Sequence, residues 1–353
     1  MLFKKQPINS QGVVMKRKNQ KLYLAQMVAA ICVVIIHVGT VVENPVAHFI
    51  IKSLICRIAV PFFFVNNAFF FRINADQIGY TKTWLKRLII SYTAVFVLYI
   101  PLGLQLMHQT VNIPWKFTPL LIIASYFYSG SFYHLWYFPA IIFALILVRW
   151  LVKKLGYGWT FIVSLGLFML GSVETYSQFI SNALLKKLMT NYFSLFWTTR
   201  NGLFFSPIYV LVGFFLADHK ARLSAWRRYF KFGLWGAILL GIVEGTIVYL
   251  NQGIDKNFMY FTILFNFCAF GLLVTSKSEW QGLERLKPYN QGIFLLHMIP
   301  IQLFNIWVTS ANTPQNGVLR SLLGIIVPVA LIYGYRLVLK KIAGYQPINK
   351  KIS

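Results

Sequence analysis

The chain alternates between long apolar runs and short polar connections. A helix that crosses a bilayer needs about 20 mostly apolar residues. Ten runs have this character, and they cover 22–43, 48–71, 86–107, 134–152, 158–173, 202–217, 231–250, 257–275, 289–309 and 318–339. A further run at 118–128 is too short to cross and is expected to be re-entrant or interfacial. The pattern predicts an all-α, polytopic transmembrane bundle of about ten spans.

Basic residues concentrate in every second connection between the runs. If the N-terminus is cytoplasmic, 26 of the 34 Lys and Arg residues fall in cytoplasmic segments and six fall outside. Cytoplasmic loops carry this excess in membrane proteins. We therefore expect both termini in the cytoplasm. The chain is interpreted as a basic N-terminal segment 1–21, one transmembrane domain 22–341 and a basic tail 342–353.

Composition supports a multi-pass protein of the cell membrane. The chain is 58% hydrophobic and 12% charged, against about 25% charged in soluble domains. The net charge of +26 is divided among short loops, so we expect contact with anionic membrane lipids and no nucleic-acid partner. Cys32, Cys56 and Cys268 lie in apolar runs without metal-ligand spacing, and no metal site is predicted. The first run lacks a cleavage site and is expected to be a retained span.

Two basic side chains occur at membrane depth, where ionisable groups are rare and usually functional. His37 lies in the first run and Arg57 in the second. At 1.5 Å per residue, His37 is roughly 24 Å from the cytoplasmic edge and Arg57 roughly 14 Å from the outer edge. Both are expected in the outer half, within reach of each other. Glu244 is the only acidic residue deep within a predicted span, so Arg57 has either an ion pair with Glu244 or an anionic ligand.

Other polar and aromatic residues suit a binding site or a purely structural role. His134 opens the fourth run beside Trp136 and Tyr137, where aromatic residues also anchor helices at the interface. His297 lies in the ninth run, where the alternative is a neutral imidazole bonded across helices. With Glu244, these residues are the candidate substrate-binding set. His37 titrates near neutrality and is the candidate general base for a hydroxyl.

Five stretches, in this order, resemble the acyltransferase-3 family of membrane-bound O-acyltransferases. They are VAAICVVIIHVG, RIAVPFFFVNNAFFF, WLKRLIISYTAVFVLY, HLWYFPAIIFALIL and NQGIFLLHMIPI. The resemblance covers the whole chain. It implies transfer of an acyl group, often acetyl, from cytoplasmic acyl-CoA to a hydroxyl of an exported glycan. No bound cofactor is implied, since acyl-CoA is a substrate.

The resemblance also implies residue roles. His37 matches the family's catalytic histidine and Arg57 its second-span arginine, while His134 and His297 match two later motif histidines. Four positions depart from the family pattern, namely Tyr23 for Asp, Gln26 for Arg or Lys, Asn67 in place of the usual Ser and Ser91 for Pro. Gln26 removes a cytoplasmic-side contact to the CoA phosphates, which Lys21 or the cluster Lys16–Lys18 could replace because lysine is flexible.

The leading hypothesis is a bacterial O-acyltransferase that acts on a cell-surface glycan or a lipid-linked sugar. His37 would be the base, and Arg57 would bind the donor or stabilise oxyanion charge. A second hypothesis is a transporter or flippase for a glycan or lipid-linked precursor, which needs no acyl-CoA. A third is a non-catalytic membrane subunit of a glycan synthesis system, which the Gln26 departure keeps open.

Overall fold

The computed structural model describes residues 20–110, 114–276 and 280–342. The described residues form helices joined by turns and contain no strand. The predicted terminal segments 1–21 and 342–353 lie outside this part, apart from Gln20, Lys21 and Ile342. The cluster Lys16–Lys18 also lies outside it. The helices are α1 Gln20–His37, α2 Pro45–Asn74, α3 Tyr80–Thr110, α4 Thr118–Phe127, α5 Tyr137–Gly171, α6 Ala183–Phe196, α7 Ser206–Asp218, α8 Arg227–Leu250, α9 Phe261–Val274, α10 Lys287–Leu296, α11 Met298–Trp307 and α12 Pro314–Ile342.

Five of these helices are long and apolar enough to cross a membrane, namely α1, α2, α3, α8 and α12. Helices α7, α9 and α11 are apolar but shorter. The prediction of a helical membrane protein is confirmed. Each of the ten predicted spans coincides with a helix or a helix pair, but ten crossings and cytoplasmic termini remain predictions.

Helix α5 covers the fourth and fifth predicted spans together. Gly156 interrupts it with φ 72° and ψ 179°, a conformation that glycine adopts without the steric cost other residues meet. The connection between the two predicted spans is therefore a single glycine break. The short run at 118–128 is the ten-residue helix α4.

The contacts divide the described chain into two compact units. One unit contains the described residues up to His48 and those from Ser276 onward. In it α1 packs against α10 and α12, and α11 packs against α12. Gly324 of α12 permits this approach, since a Cβ there would meet Val34 at 2.8 Å and Ile301 at 3.1 Å.

The other unit runs from Phe49 to Thr275. Helix α7 packs against α2 and α5, and α8 packs against α9. Gly213 of α7 lies so close to α2 that a Cβ would meet the Val65 carbonyl at 2.6 Å. The core of this unit is rich in fully buried phenylalanine, including Phe64, Phe69, Phe168, Phe214 and Phe270.

Candidate functional site

His37 is the last residue of α1. The free carbonyls of a helix's last turn carry partial negative charge, which complements a cation at this end. An imidazolium formed by proton abstraction would benefit from that position. The chain then turns sharply at Gly39, whose φ of +82° lies in the left-handed region. A residue with a Cβ is disfavoured there.

His297 lies at the junction between α10 and α11 and is completely buried. Its Nδ1 lies 3.0 Å from the Ile293 carbonyl oxygen and 3.1 Å from that of Phe294. Carbonyl oxygens only accept hydrogen bonds, so this geometry assigns the proton of a neutral ring to Nδ1. Nε2 then carries the lone pair. The backbone of α10 therefore fixes both the orientation and the tautomer of His297.

The rings of His37 and His297 stack, with centroids 5.4 Å apart and an interplanar angle of 24°. These residues are 260 positions apart in the sequence. The packing of α1 against α10 brings them together. A buried imidazole of fixed tautomer beside the candidate base restricts the positions that the His37 ring can adopt. This pairing is the central feature of the candidate site in the first unit.

A polar network holds the turn that follows His37. The backbone amide of Thr40 donates to Asn312 Oδ1 at 2.6 Å. Arg320, only 4% exposed, donates from Nε to Asn305 Oδ1 at 2.7 Å and from Nη2 to the Thr309 carbonyl at 2.9 Å. Arg320 thereby fixes the segment that carries Asn312. Arg320 was not among the residues predicted for the site. Its place as the third residue of the apolar run 318–339 is the signal available in the sequence.

The N-terminal half of α1 is hydrogen-bonded to α10 and to the turn before it. Asn290, which is buried, donates from Nδ2 to the Tyr23 carbonyl at 3.0 Å. Gln20 accepts from the backbone amide of Glu284 at 3.2 Å. Gln26 lies on the same helix, 11 residues before His37 and therefore about 16 Å from it along the axis. The loss of the family's basic residue at Gln26 thus affects a place remote from the imidazole.

Arg57 belongs to the second unit, in an irregular part of α2. A π-turn at Ile50–Ile55 is followed by a 3₁₀ turn at Cys56–Ile58, and such π-turns frequently occur at functional sites. Arg57 is half-buried, and its buried Nε has no hydrogen-bond acceptor among the described residues. The charges that act on it include those of Asp255, Arg200 and Glu174. The reach between His37 and Arg57 remains a prediction, because they belong to different units.

The predicted ion pair between Arg57 and Glu244 is wrong. Glu244 instead accepts from the Tyr176 hydroxyl and from the backbone amides of Tyr260 at 2.6 Å and Phe261 at 2.8 Å. Those amides open α9, where a helix has unsatisfied donors and partial positive charge. Glu244 caps the helix, and a structural role accounts for all of its contacts.

A second buried carboxylate was missed because it lies in a polar connection of the sequence. Glu174 is 3% exposed and accepts from the Thr198 hydroxyl at 3.1 Å and the Thr199 hydroxyl at 2.8 Å. Asp255 lies nearby and accepts from the Thr175 hydroxyl at 3.1 Å. Burial, reinforced by the charge of Asp255, raises the pKa of Glu174 to about 7. Burial and the charge of Arg57 lower the pKa of Lys256.

The aromatic residues at the start of α5 are buried. His134 is 4% exposed, and its ring meets that of Tyr99 edge-on at 4.7 Å. Tyr137 accepts from Asn67 Nδ2 at 2.7 Å and donates to the Phe63 carbonyl at 3.0 Å. Asn67, which departs from the family pattern, therefore has a structural role as a hydrogen-bond donor to Tyr137. Trp136 packs against Phe64 and Phe205. Substrate contact by His134, Trp136 and Tyr137 remains a prediction, as does the absence of a metal from the protein.

Most of the chain matches one protein-family model. A family model described as an acyltransferase domain, acyltransferase-3, matches residues 19–337. The chain belongs to the acyltransferase-3 family. It is therefore an acyltransferase-like membrane protein, as the motifs predicted.

Curated relatives have a different name and are longer. The chain is 29% identical to an amino-acid racemase of Enterococcus faecalis over 88% of its own length and 45% of that protein. It is 27% identical to a serine/alanine racemase of Enterococcus gallinarum over 63% of its own length and 33% of that protein. The chain spans less than half the length of these relatives. No solved structure matches it.

Proposed function

We propose that this protein transfers an acyl group, in the first instance acetyl, from cytoplasmic acyl-CoA to a hydroxyl of an exported or cell-surface glycan. The observation that carries this proposal is the stacked pair of His37 and His297 within a domain of the acyltransferase-3 family. A neutral imidazole that accepts a proton near neutrality is suited to activate a hydroxyl.

In the proposed reaction, His37 takes the proton of the acceptor hydroxyl while the hydroxyl oxygen attacks the thioester carbonyl. The carbon–sulfur bond then breaks, an ester forms, and the CoA thiolate leaves and receives the proton. His297 acts as a positioning residue, because its own Nδ1 is engaged by backbone carbonyls. Arg57, with a donor that lacks an acceptor among the described residues, is proposed to bind an anionic group of the donor or the oxyanion.

The proposal is tested in cells by mass spectrometry of surface polymers. Cells lacking the gene are complemented with the parental chain, with His37→Ala or with His219→Ala. His219 is the matched control, since its Nδ1 lies 2.9 Å from the Phe215 carbonyl oxygen at the end of α7. We expect acylated polymer with the parental chain and the control, and none with His37→Ala. Unchanged acylation with His37→Ala would refute the role of His37.

A second candidate function is transport of the acceptor without acyl transfer. The relatives are named racemases of amino acids, in one case serine and alanine, so a small amino acid is a substrate to include alongside glycan precursors. A transporter does not need acyl-CoA, whereas a transferase must bind it. Saturable binding of acetyl-CoA to the purified chain would support transfer. Uptake of serine or a glycan precursor into proteoliposomes, without acetyl-CoA binding, would support transport.

A further inference from the structure

The second unit contains a large cavity to which the proposed reaction assigns no step, although Trp136, a candidate substrate-binding residue, lies in its wall. Its volume is about 760 Å³, and it lies among α3, α4 and the end of α6. Its walls are mainly apolar and include Leu104, Leu121, Ile122, Leu195 and Phe196. Cavities of about 300–1,000 Å³ with apolar walls and few polar groups typically hold small organic ligands. The apolar lining suits a hydrocarbon chain.

One cation lines this cavity. Arg200 donates from Nη1 to Asn257 Oδ1 at 3.2 Å, and its guanidinium lies 5.3 Å from the ring centre of Trp136, also a lining residue. Its Nε is buried and has no acceptor among the described residues. A buried donor without an acceptor is unfavourable. An oxygen of an anionic ligand would satisfy it, and arginine suits phosphate because its donors form a planar fork.

The charges around Arg200 favour a ligand with net negative charge. Arg57 is subject to the positive charge of Arg200 and itself acts on Lys256, while the negative charges in this group are those of Glu174 and Asp255. Arg57 also acts on Lys52, so, among the described residues, four cations share this region with two carboxyl groups. One of these, Glu174, is only partly ionised near neutral pH because burial raises its pKa to about 7. A headgroup that carries its own cation would be repelled, and an anionic one attracted.

Helix α6 has the composition and exposure of an interfacial helix. None of its residues is buried, and its exposed leucines include Leu184, Leu188 and Leu195, with Lys186 and Lys187 on the same helix. Short helices with exposed leucines and lysines typically lie in the membrane interface. The last residues of α6, Leu195 and Phe196, form part of the cavity wall. A lipid could therefore enter from the interface with its phosphate at the depth of the headgroups.

We propose that this cavity binds an anionic phospholipid, with the phosphate at Arg200 and an acyl chain along α3 and α4. The observations that support the proposal are an apolar chamber, a guanidinium with an unused donor at its lining, and a local excess of positive charge. Binding of this lipid requires neither an acyl donor nor a glycan, so its test is independent of the proposed reaction.

The test is lipid titration of the purified, delipidated full chain, followed by native mass spectrometry. Phosphatidylglycerol is compared with phosphatidylcholine of the same acyl chains. We expect phosphatidylglycerol to bind at least tenfold more tightly. Arg200→Gln should weaken its binding about ten- to a hundredfold, as expected for the loss of a charge-assisted hydrogen bond. Lys186→Gln removes the same charge from α6 outside the cavity lining and should change binding less than twofold.

A second variant keeps the proposal testable if Arg200→Gln fails to fold. Leu121→Trp fills the cavity without altering charge, and it should weaken binding of phosphatidylglycerol at least tenfold. Equal binding of the two lipids would overturn the proposal. So would parental affinity in both Arg200→Gln and Leu121→Trp, or an equal loss in Lys186→Gln, because binding would then depend on surface charge alone.

Discussion

Gly39→Ala should destabilise the turn after His37 for two separate reasons. The first is backbone strain, since Gly39 has φ +82° and an L residue in the left-handed region costs about 1–2 kcal/mol. The second is a clash, because an added Cβ would overlap with Asn312 Oδ1. Relief of the clash moves Asn312 and breaks its 2.6 Å bond from the Thr40 amide. A typical net hydrogen bond contributes about 0.5–1.5 kcal/mol, so the total cost is about 1.5–3.5 kcal/mol.

The chain offers a matched control for the strain alone. Gly79 has φ +75°, and no atom lies within 4 Å of an added Cβ. Gly79→Ala should therefore cost only about 1–2 kcal/mol. In an Asn312→Ala background the clash is absent, and the additional cost of Gly39→Ala should fall to the same value. The double-mutant comparison isolates the steric contribution.

The assay is the unfolding temperature of the purified variants at one heating rate, together with acyl transfer. We expect the parental chain to have the highest unfolding temperature, Gly79→Ala a lower one and Gly39→Ala the lowest. Transfer by Gly39→Ala should fall about a hundredfold, since a displacement of about 1 Å at a catalytic group can have that effect. Equal unfolding temperatures for Gly39→Ala and Gly79→Ala would refute the steric reasoning. An undiminished cost in the Asn312→Ala background would refute it too.

Two further predictions concern pH. The pKa of Glu174 is raised in the fold to about 7, so the folded state binds more protons than the unfolded state between about pH 4.3 and 7, and this group favours folding as pH falls. Glu174→Gln should flatten the dependence of unfolding temperature on pH between 5 and 8, and an unchanged slope would contradict the assignment. Burial raises the pKa of Asp218. Hydrogen bonds from Arg72 and Tyr157 and the charge of Arg72 lower this pKa by a larger amount, so the net shift is downward. Its contribution is present above the unfolded pKa of about 3.9 and is lost as pH falls through the folded value. By denaturant titration, Asp218→Asn should cost about 1 kcal/mol at pH 7 and progressively less as pH falls below about 3.9, and a cost that does not change with pH would exclude the charge as the cause.

The positions of the helices were predictable from the sequence because a long apolar run is itself the signature of a membrane-spanning helix. The prediction was less informative where helices are short and shielded by neighbours, as in α7 and α9. The interruption of α5 at Gly156 coincides with the gap between two predicted spans, because a glycine permits a sharp break between apolar segments.

The site was only partly predictable, because its key contacts join distant segments. Each histidine of the His37–His297 pair was singled out separately, but their stacking depends on the packing of α1 against α10. The partner of Glu244 was assigned wrongly because backbone amides at the start of another helix are invisible in a list of charged side chains. Glu174 and Arg320 were missed because proximity to a predicted loop suggested solvent exposure, whereas both are buried.

The most direct test of the central claim is the rate of acetyl transfer from labelled acetyl-CoA into polymer in membrane vesicles from cells that express the chain. With equal amounts of protein in the membrane, we compare the parental chain, His37→Gln and the control His219→Gln. General acid–base groups typically contribute about 10²–10⁴-fold to rate. We expect a loss of that size for His37→Gln and less than a twofold change for His219→Gln. Transfer by His37→Gln at the parental rate would contradict it.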